Sequence, residues 1–325
     1  MKAVLWNKYG PPEVLKMGEV VKPIPKEDEV LIKIHAASVT LGDCEIRSLS
    51  LGFFISFMMR LMFGILRPKN RILGQEFSGE IVEVGNKVSN LSVGDLVFGT
   101  PGLKFACYAE YITIKADRKE GVLVKKPEQL SFEEAVVLPV GGLEALNFIS
   151  SSNLSKGESI LINGAGGSIG TMAVQLAKYY GAEVTAVDRT DKLDFLKQVG
   201  ADRVIDYQTH DFTRLGETYD VILDVVGKAH FDRTMKCFNK GGRFMIANPN
   251  FALMIKSRLS QITTDVKIFM DMTVQNNNDM YKFIKLVNEG YIKVYVDKVY
   301  PLEEIVDAHR YVEQGNKKGN LVIRI

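Results

Sequence analysis

Disulfide chemistry is nearly excluded at the outset, because only three cysteines (Cys44, Cys107 and Cys237) occur in 325 residues and none has a close partner in sequence. That spacing gives neither a disulfide framework nor a paired metal or redox motif, and it suits a reducing, cytoplasmic setting. Excess charge of one sign is also missing. The 41 basic and 39 acidic residues leave +2, too small a charge to point to nucleic acid as a partner. Histidine is scarce: His35 falls in a strand pattern, and His210, His230 and His309 are scattered over expected loops and helix surfaces. No uninterrupted run reaches the ~20 apolar residues that a membrane span needs. The most apolar stretch, Leu49–Leu66, is broken by Arg60 and bounded by Arg47 and Arg67. The opening Met1-Lys2-Ala3-Val4-Leu5-Trp6 turns polar at once, so no signal peptide is expected. Tandem repeats and low-complexity linkers are absent as well.

What is present is a globular composition, 46% hydrophobic and 25% charged, in a chain long enough for two domains. Its centre is one stretch. Ser159-Ile160-Leu161-Ile162-Asn163 reads as an apolar strand, Gly164-Ala165-Gly166-Gly167-Ser168-Ile169-Gly170 as a glycine-rich turn, and Thr171 to Tyr180 as a helix. Ile169, Ala173, Leu176, Ala177 and Tyr180 form the stripe of a helix packed on a sheet. A second strand, Glu183–Val187, ends on Asp188, 18 residues beyond Gly170. Strand, glycine turn, helix, strand and acid in that order make a dinucleotide-binding fingerprint. The glycines admit a tight turn and bring backbone N–H groups to a pyrophosphate, and the helix adds its positive end. The consensus first glycine falls on Ala165, with Gly164 just before it, which is a departure from the pattern.

Further strands at Arg203–Tyr207, Tyr219–Gly227, Gly242–Asn248 and Val266–Met270 alternate with helical patterns. They predict a six-stranded parallel sheet covered on both faces. Residues before about 126 read instead as short half-buried strands at Glu29–Ala36, Glu80–Asn86, Gly94–Gly99 and Tyr108–Ile114, the pattern of a small antiparallel barrel. Pro127-Glu128 opens a helical stretch towards Leu138–Gly142. After about residue 271 come a helix near Met280–Glu289, a strand at Lys293–Tyr300, a helix at Leu302–Glu313 and a closing strand from Asn320 to Arg324. For Leu49–Leu66 three readings stay open: a lid or pocket wall for an apolar substrate, core or subunit packing, and peripheral membrane contact.

A set of short motifs runs through the chain: Ala37-Ser38-Val39 with Ile46-Arg47-Ser48, Leu73-Gly74-Gln75-Glu76-Phe77-Ser78-Gly79 with Glu83-Val84-Gly85, and Val93 to Gly99. It continues through Leu138-Pro139-Val140-Gly141-Gly142, the glycine turn, Val199 to Asp202, Ile205-Asp206-Tyr207 and Asp224-Val225-Val226-Gly227. Ala308-His309-Arg310-Tyr311 and Lys318 to Ile323 complete it. On these motifs, in this order, the chain resembles the medium-chain dehydrogenase/reductase superfamily, and within it the zinc-independent quinone oxidoreductase (zeta-crystallin-like) branch. The resemblance implies an α/β chain with a GroES-like β-barrel domain (residues 1–126 and 271–325) and a Rossmann NAD(P)-binding domain (residues 127–270). It implies no metal: Thr40 stands where zinc-dependent relatives have Cys, Gln75 stands at their His, and only Glu76 remains of that ligand set.

A nicotinamide without zinc suits acceptors whose developing charge is delocalised, so the resemblance implies an NAD(P)H-dependent reductase of quinones or α,β-unsaturated carbonyls. An alcohol or aldehyde dehydrogenase of the same fold and a nucleotide-binding interaction protein with little turnover are the alternatives. The positions of the branch's pocket Asn and Tyr carry Thr40 and Glu45. Thr40, Asp43 and Glu45 are therefore the candidate pocket or proton-relay groups, with turn capping as the other reading. Gly166, Gly167, Ser168, Ile169 and Gly170 are expected at the pyrophosphate, Asp188, Arg189 and Lys192 at the adenosine ribose, and Tyr207 near the adenine. Val225, Val226 and Asn248 are expected to border the nicotinamide, with Asn320 reaching it from the closing strand. Glu144 departs from the Thr common there. The branch mostly uses NADPH, whereas Asp188 argues for NADH by repelling a 2′-phosphate. A homodimer pairing the sixth strands edge to edge is also implied.

Overall fold

The computed structural model describes residues 1–50, 52–249, 251–270 and 273–325. Leu51 of the apolar segment, and Asp271, where the C-terminal return was expected to begin, lie outside the described residues, as do the side chains of Phe53 and Phe54. The chain forms two compact units, Met1–Val140 with Val274–Lys285 and Val294–Ile325, and Gly141–Thr273 with Leu286–Lys293.

In chain order the first unit begins with strands β1 (Lys2–Trp6), β2 (Leu15–Glu19) and β3 (Glu29–Ser38) and helices α1 (Leu41–Ser48) and α2 (Phe53–Phe63). Strands β4 (Phe77–Val84), β5 (Leu96–Thr100), β6 (Tyr111–Lys115) and β7 (Val122–Lys125) and the short helix α3 (Phe132–Ala135) follow. The second unit carries α4 (Pro139–Ser151, from Gly141 on), β8 (Ser159–Asn163), α5 (Ser168–Tyr179), β9 (Glu183–Asp188), α6 (Leu193–Val199) and β10 (Arg203–Asp206). It continues with β11 (Tyr219–Asp224), α7 (Phe231–Thr234), β12 (Phe238–Ile246), α8 (Phe251–Thr263) and β13 (Lys267–Phe269). The chain ends with α9 (Asn277–Asn288), β14 (Val296–Pro301), α10 (Ile305–Glu313) and β15 (Asn320–Arg324).

The hub of the first unit is β3. One edge pairs antiparallel with β4, and the other is shared by β6 along Glu29–Lys33 and by β15 along Ala36–Ser38. The seven-stranded sheet runs β14-β15-β3-β4-β5-β7 with β6 on β3, and β1 pairs with β2 in a separate ribbon. β14 and β15 pair in parallel, an exception to the antiparallel expectation. Trp6, Ile32, Phe77, Tyr108 and Ile323 are buried in the core. Residues 127–140 belong to this unit because α3 lies on it: Ser78 Oγ donates to the Phe132 carbonyl at 2.6 Å, and Arg324 pairs with Glu133 at 2.8 Å.

In the second unit six strands run in the order β10-β9-β8-β11-β12-β13, all parallel, which is the Rossmann order that the resemblance implied. The strands are buried on both faces. Ile160, Leu161, Ile162, Val221, Ile222 and Leu223 have no exposed surface, as near-continuous apolar runs in a covered parallel sheet require. Gln175 exchanges two hydrogen bonds with the backbone of Lys293 and ties the returning chain to α5.

Candidate functional site

In the second unit the glycine turn between β8 and α5 is built by close backbone approach. A Cβ on Gly170 would lie 2.4 Å from the Gly164 carbonyl oxygen and 2.5 Å from the Ala165 Cα, and neither atom can yield without moving the loop. Gly164 sits at φ +86°, a left-handed conformation that tolerates few other residues. Gly164 and Ala165 both donate to the Val187 carbonyl, which staples the turn to β9. α5 then starts at Ser168 with Gly167 as its N-cap and no side chain capping it. A helix that opens on a glycine turn aims its first-turn N–H groups and its positive dipole end outward, the arrangement that receives a phosphate.

Asp188 is drawn inward. Its Oδ2 accepts from the Gly166 N–H at 2.7 Å, its Oδ1 from the Arg189 N–H at 2.8 Å, and the Lys192 ammonium stands 3.5 Å away. Both side chains are buried. The N–H of Gly166, expected at the pyrophosphate, is thus spent on Asp188. Arg189 donates to Asp191 at 3.0 Å, and Tyr207 lies exposed just past β10, its N–H bonded to the Asp188 carbonyl.

At the end of β11, buried Asp224 accepts from Asn163 Nδ2 at 2.9 Å and from the N–H groups of Val226, Gly227 and Ala229. Burial raises its pKa against those donors. This carboxylate fixes the loop carrying Val225 and Val226, and Asn248 Nδ2 donates to the Val225 carbonyl at 2.9 Å. Sequence reasoning quoted Asp224 as part of a motif without giving it this role. Glu144, on α4, accepts from Thr273 Oγ1 at 2.7 Å, and burial raises its pKa.

Asn320 belongs to the first unit. It is buried on β15, and its Nδ2 donates to the Tyr295 carbonyl at 3.1 Å.

The first unit holds a buried polar cluster. Thr40 is the N-cap of α1 and forms a capping box with Asp43, so the capping role left open for these residues is realised. The Thr40 hydroxyl donates to Asp43 Oδ2 at 2.7 Å and accepts from the Asp43 N–H and from Gln75 Nε2 at 3.1 Å each. Asp43 is wholly buried, and its Oδ1 has no hydrogen-bond partner. Burial lifts its pKa to about 6, against the opposing pull of the Thr40 and Gln75 hydrogen bonds and the Lys317 charge. Glu76, also buried, accepts from Ser38 Oγ and from the Val140 N–H, and burial lifts its pKa to about 7. Glu45 lies half-buried two positions beyond Asp43 on α1.

His309 corrects an expectation. It lies on α10 but is fully buried rather than on a helix surface, with its Nδ1 3.0 Å from Arg47 Nη1 and 3.3 Å from Cys44 Sγ. Desolvation, and then the Arg47 charge, push its pKa well below the ordinary value, so it stays neutral. Arg47 is completed by the Gly10 carbonyl and by Glu313. Its long side chain crosses from α1 to α10 inside the unit, and the sequence pattern carried no signal for that.

Could the cluster hold the zinc of a zinc-dependent dehydrogenase? Thr40 and Gln75 are hydrogen-bonded to each other, and Glu76 is the one carboxylate left of that ligand set. Among the described residues no three His, Cys, Asp or Glu side chains group as a metal site. This donor set does not fit zinc.

Residues 26–128 match the model of the alcohol dehydrogenase GroES-like domain, and residues 199–323 match a model described as zinc-binding dehydrogenase. The chain is 32% identical to the 2-methylene-furan-3-one reductase of Solanum lycopersicum, covering 99% of this chain and 79% of that protein. It is 30% identical to the chloroplastic NADPH-dependent alkenal/one oxidoreductase of Arabidopsis thaliana, with the same coverage. Among solved structures, the quinone oxidoreductase from Coxiella burnetii superposes with a TM-score of 0.89 at 30% identity, over 100% of this chain and 99% of that one.

Proposed function

The chain belongs to the medium-chain dehydrogenase/reductase superfamily, and from that premise we propose a zinc-independent reductase that takes hydride from NADPH to a quinone or an α,β-unsaturated carbonyl. The observation that carries the metal-free reading is the Thr40–Gln75–Asp43 set. Where zinc relatives place a Lewis acid, this chain has side chains hydrogen-bonded to one another. An acceptor that delocalises its own developing charge needs no such metal. The cofactor supplies the hydride, and the protein supplies binding, orientation and a proton.

The first turn of α5, Gly167 to Gly170, holds the pyrophosphate in this reading, and the loop fixed by Asp224 borders the nicotinamide through Val225, Val226 and Asn248. Asp188 braces the glycine turn, and its charge is offset by Lys192, which weakens its objection to a 2′-phosphate. This supports NADPH ahead of NADH, with Arg189 and Tyr207 at the adenosine end. Thr40 is the group that hands a proton to the product. When Asp43 is protonated it donates to the Thr40 hydroxyl, which frees the hydroxyl proton for transfer. Asp43, held near 6, thereby refills the relay, and falling pH favours it. The first unit takes the substrate role and the second the nucleotide role. A cytoplasmic homodimer paired along the free edge of β13 completes the proposal.

The test is stopped-flow oxidation of NADPH and NADH with a small quinone and an enone, with and without a chelator. Chelator-insensitive turnover, faster with NADPH, is expected. Restoration of alcohol oxidation by added zinc would overturn the metal-free assignment, and cofactor binding without turnover of either acceptor would overturn the reductase.

A further inference from the structure

α2 and the loop after it present an apolar surface to water. Phe57, Met58, Leu61 and Met62 are each about half exposed, at 48–51%, and Ile65 and Leu66 follow at 61% and 89%. Positions 57 and 61, and 58 and 62, lie one turn apart on α2 and make one stripe, which exposed Ile65 and Leu66 follow in the loop after Gly64. The opposite side of α2 carries Ser56 and Arg60 together with Phe63, which is buried with its ring 5.3 Å from that of Phe105.

The surroundings of this stripe are cationic. From Ile46 to Gln75 there is no Asp or Glu, while Arg60, Arg67, Lys69 and Arg71 fall within and just after the apolar segment, Lys69 reaching back to the Met62 carbonyl. Among the described residues none of these four is in a salt bridge with a carboxylate; Arg60 donates to the Ile65 carbonyl and Arg71 to Asn7 Oδ1. Leu103, 57% exposed, continues the patch, lining with Met62, Phe63 and Lys69 a cavity of about 200 Å³, and exposed Lys104 adds a fifth cation beside it.

We propose that this face docks the protein on the surface of an anionic lipid bilayer. Apolar side chains on a helix with a basic border are what an interfacial segment requires, and the border supplies the attraction to anionic headgroups. Spanning is excluded for α2, because its 11 residues reach only about 16 Å at the helical rise, against a hydrocarbon core of ~30 Å. A second copy is the poorer occupant, because a two-fold contact on this face would set the two cationic borders against each other. The proposal holds whatever the hydride acceptor.

The experiment is co-sedimentation of the full chain with vesicles of phosphatidylcholine mixed with phosphatidylglycerol, against phosphatidylcholine alone, across a salt series. Binding to the mixed vesicles that weakens with salt is expected, with little to the neutral ones. Arg67→Glu/Lys69→Glu should bind the mixed vesicles at least ~20-fold more weakly, about fivefold per cation removed. Leu61→Ser/Leu66→Ser should also lose binding while keeping its circular dichroism and its reductase activity on a water-soluble acceptor. Unchanged binding by both variants would overturn the proposal, as would no binding by the native protein. If the serine variant instead loses self-association in sedimentation velocity while vesicles never bind, the face is a contact between copies. If it only raises KM, the helix is a substrate lid.

Discussion

Replacing Glu76 by Gln tests the buried carboxyl cluster quantitatively. Glu76 is 1% exposed, and burial raises its pKa from 4.5 to about 7. The folded state therefore keeps a proton that the unfolded state has lost over the window from 4.5 to about 7. Stability must fall as pH rises through that window and level off above it. At 1.36 kcal/mol per pKa unit the fall is about 3 kcal/mol. Glutamine cannot ionise, so the variant lacks this slope. Its amide can still accept from the Val140 N–H and donate to Ser38 Oγ, which leaves a pH-independent offset of about 1 kcal/mol. Asp43 titrates in both proteins and largely cancels. Urea denaturation of both proteins between about pH 5 and about pH 8 should show the variant gaining on the native protein by ~2–3 kcal/mol as pH rises. Parallel stability curves would refute the reasoning, because they would mean that Glu76 stays ionised throughout.

Two further substitutions address the nucleotide turn. Asp188→Ala strips the buried Lys192 ammonium of its counter-charge and the Gly166 N–H of its acceptor, so a loss of roughly 3 kcal/mol is expected. NADPH should then raise the melting temperature more than NADH does, through Lys192, and equal rescue by the two would count against the pairing described above. Gly170→Ala drives a Cβ into the backbone of Gly164 and Ala165, with an expected cost of at least ~1–3 kcal/mol. Cofactor affinity measured by fluorescence titration should fall well beyond what the stability loss explains, and native-like affinity would show that the turn does not hold the cofactor.

The fold was legible wherever one strong pattern decided a segment. β8, β9 and the glycine turn read directly, because an apolar run, a forced close approach and an amphipathic helix leave few alternatives. β15 was read to the residue for a similar reason: Asn320 to Arg324 sits between a glycine and the end of the chain. β1, β2 and β7 were not named in advance. Lys2–Trp6 and Val122–Lys125 are too short to set a period, and Leu15–Glu19 alternates with Lys and Gly in positions that a loop tolerates equally well. β12 begins four residues earlier than expected because Asn239, Lys240 and the two glycines hide its polar start, where pairing with β11 shifts register.

Side-chain direction was the part of the site that sequence could not give. Asp188 stands at the strand end where an acid is expected to face a ribose, yet the glycine turn, which ends 18 residues earlier in the chain, offers the Gly166 N–H at 2.7 Å, and the Lys192 ammonium, four residues on, lies 3.5 Å from it. Two short-range facts, the closeness of the loop and the i+4 lysine, thus reverse the direction that position alone suggested. His309 was missed for the opposite reason. Its partners, Cys44 and Arg47, lie 265 and 262 residues away, and nothing in the local pattern of α10 marks them. Thr40 and Asp43 fall between these cases: the spacing of a capping box was readable, but the complete burial that lifts Asp43, and the Gln75 and Lys317 groups that oppose it, come from parts of the chain outside α1. A titratable residue can therefore be found by local spacing, while its pKa and hence its chemistry are set by neighbours from distant parts of the chain.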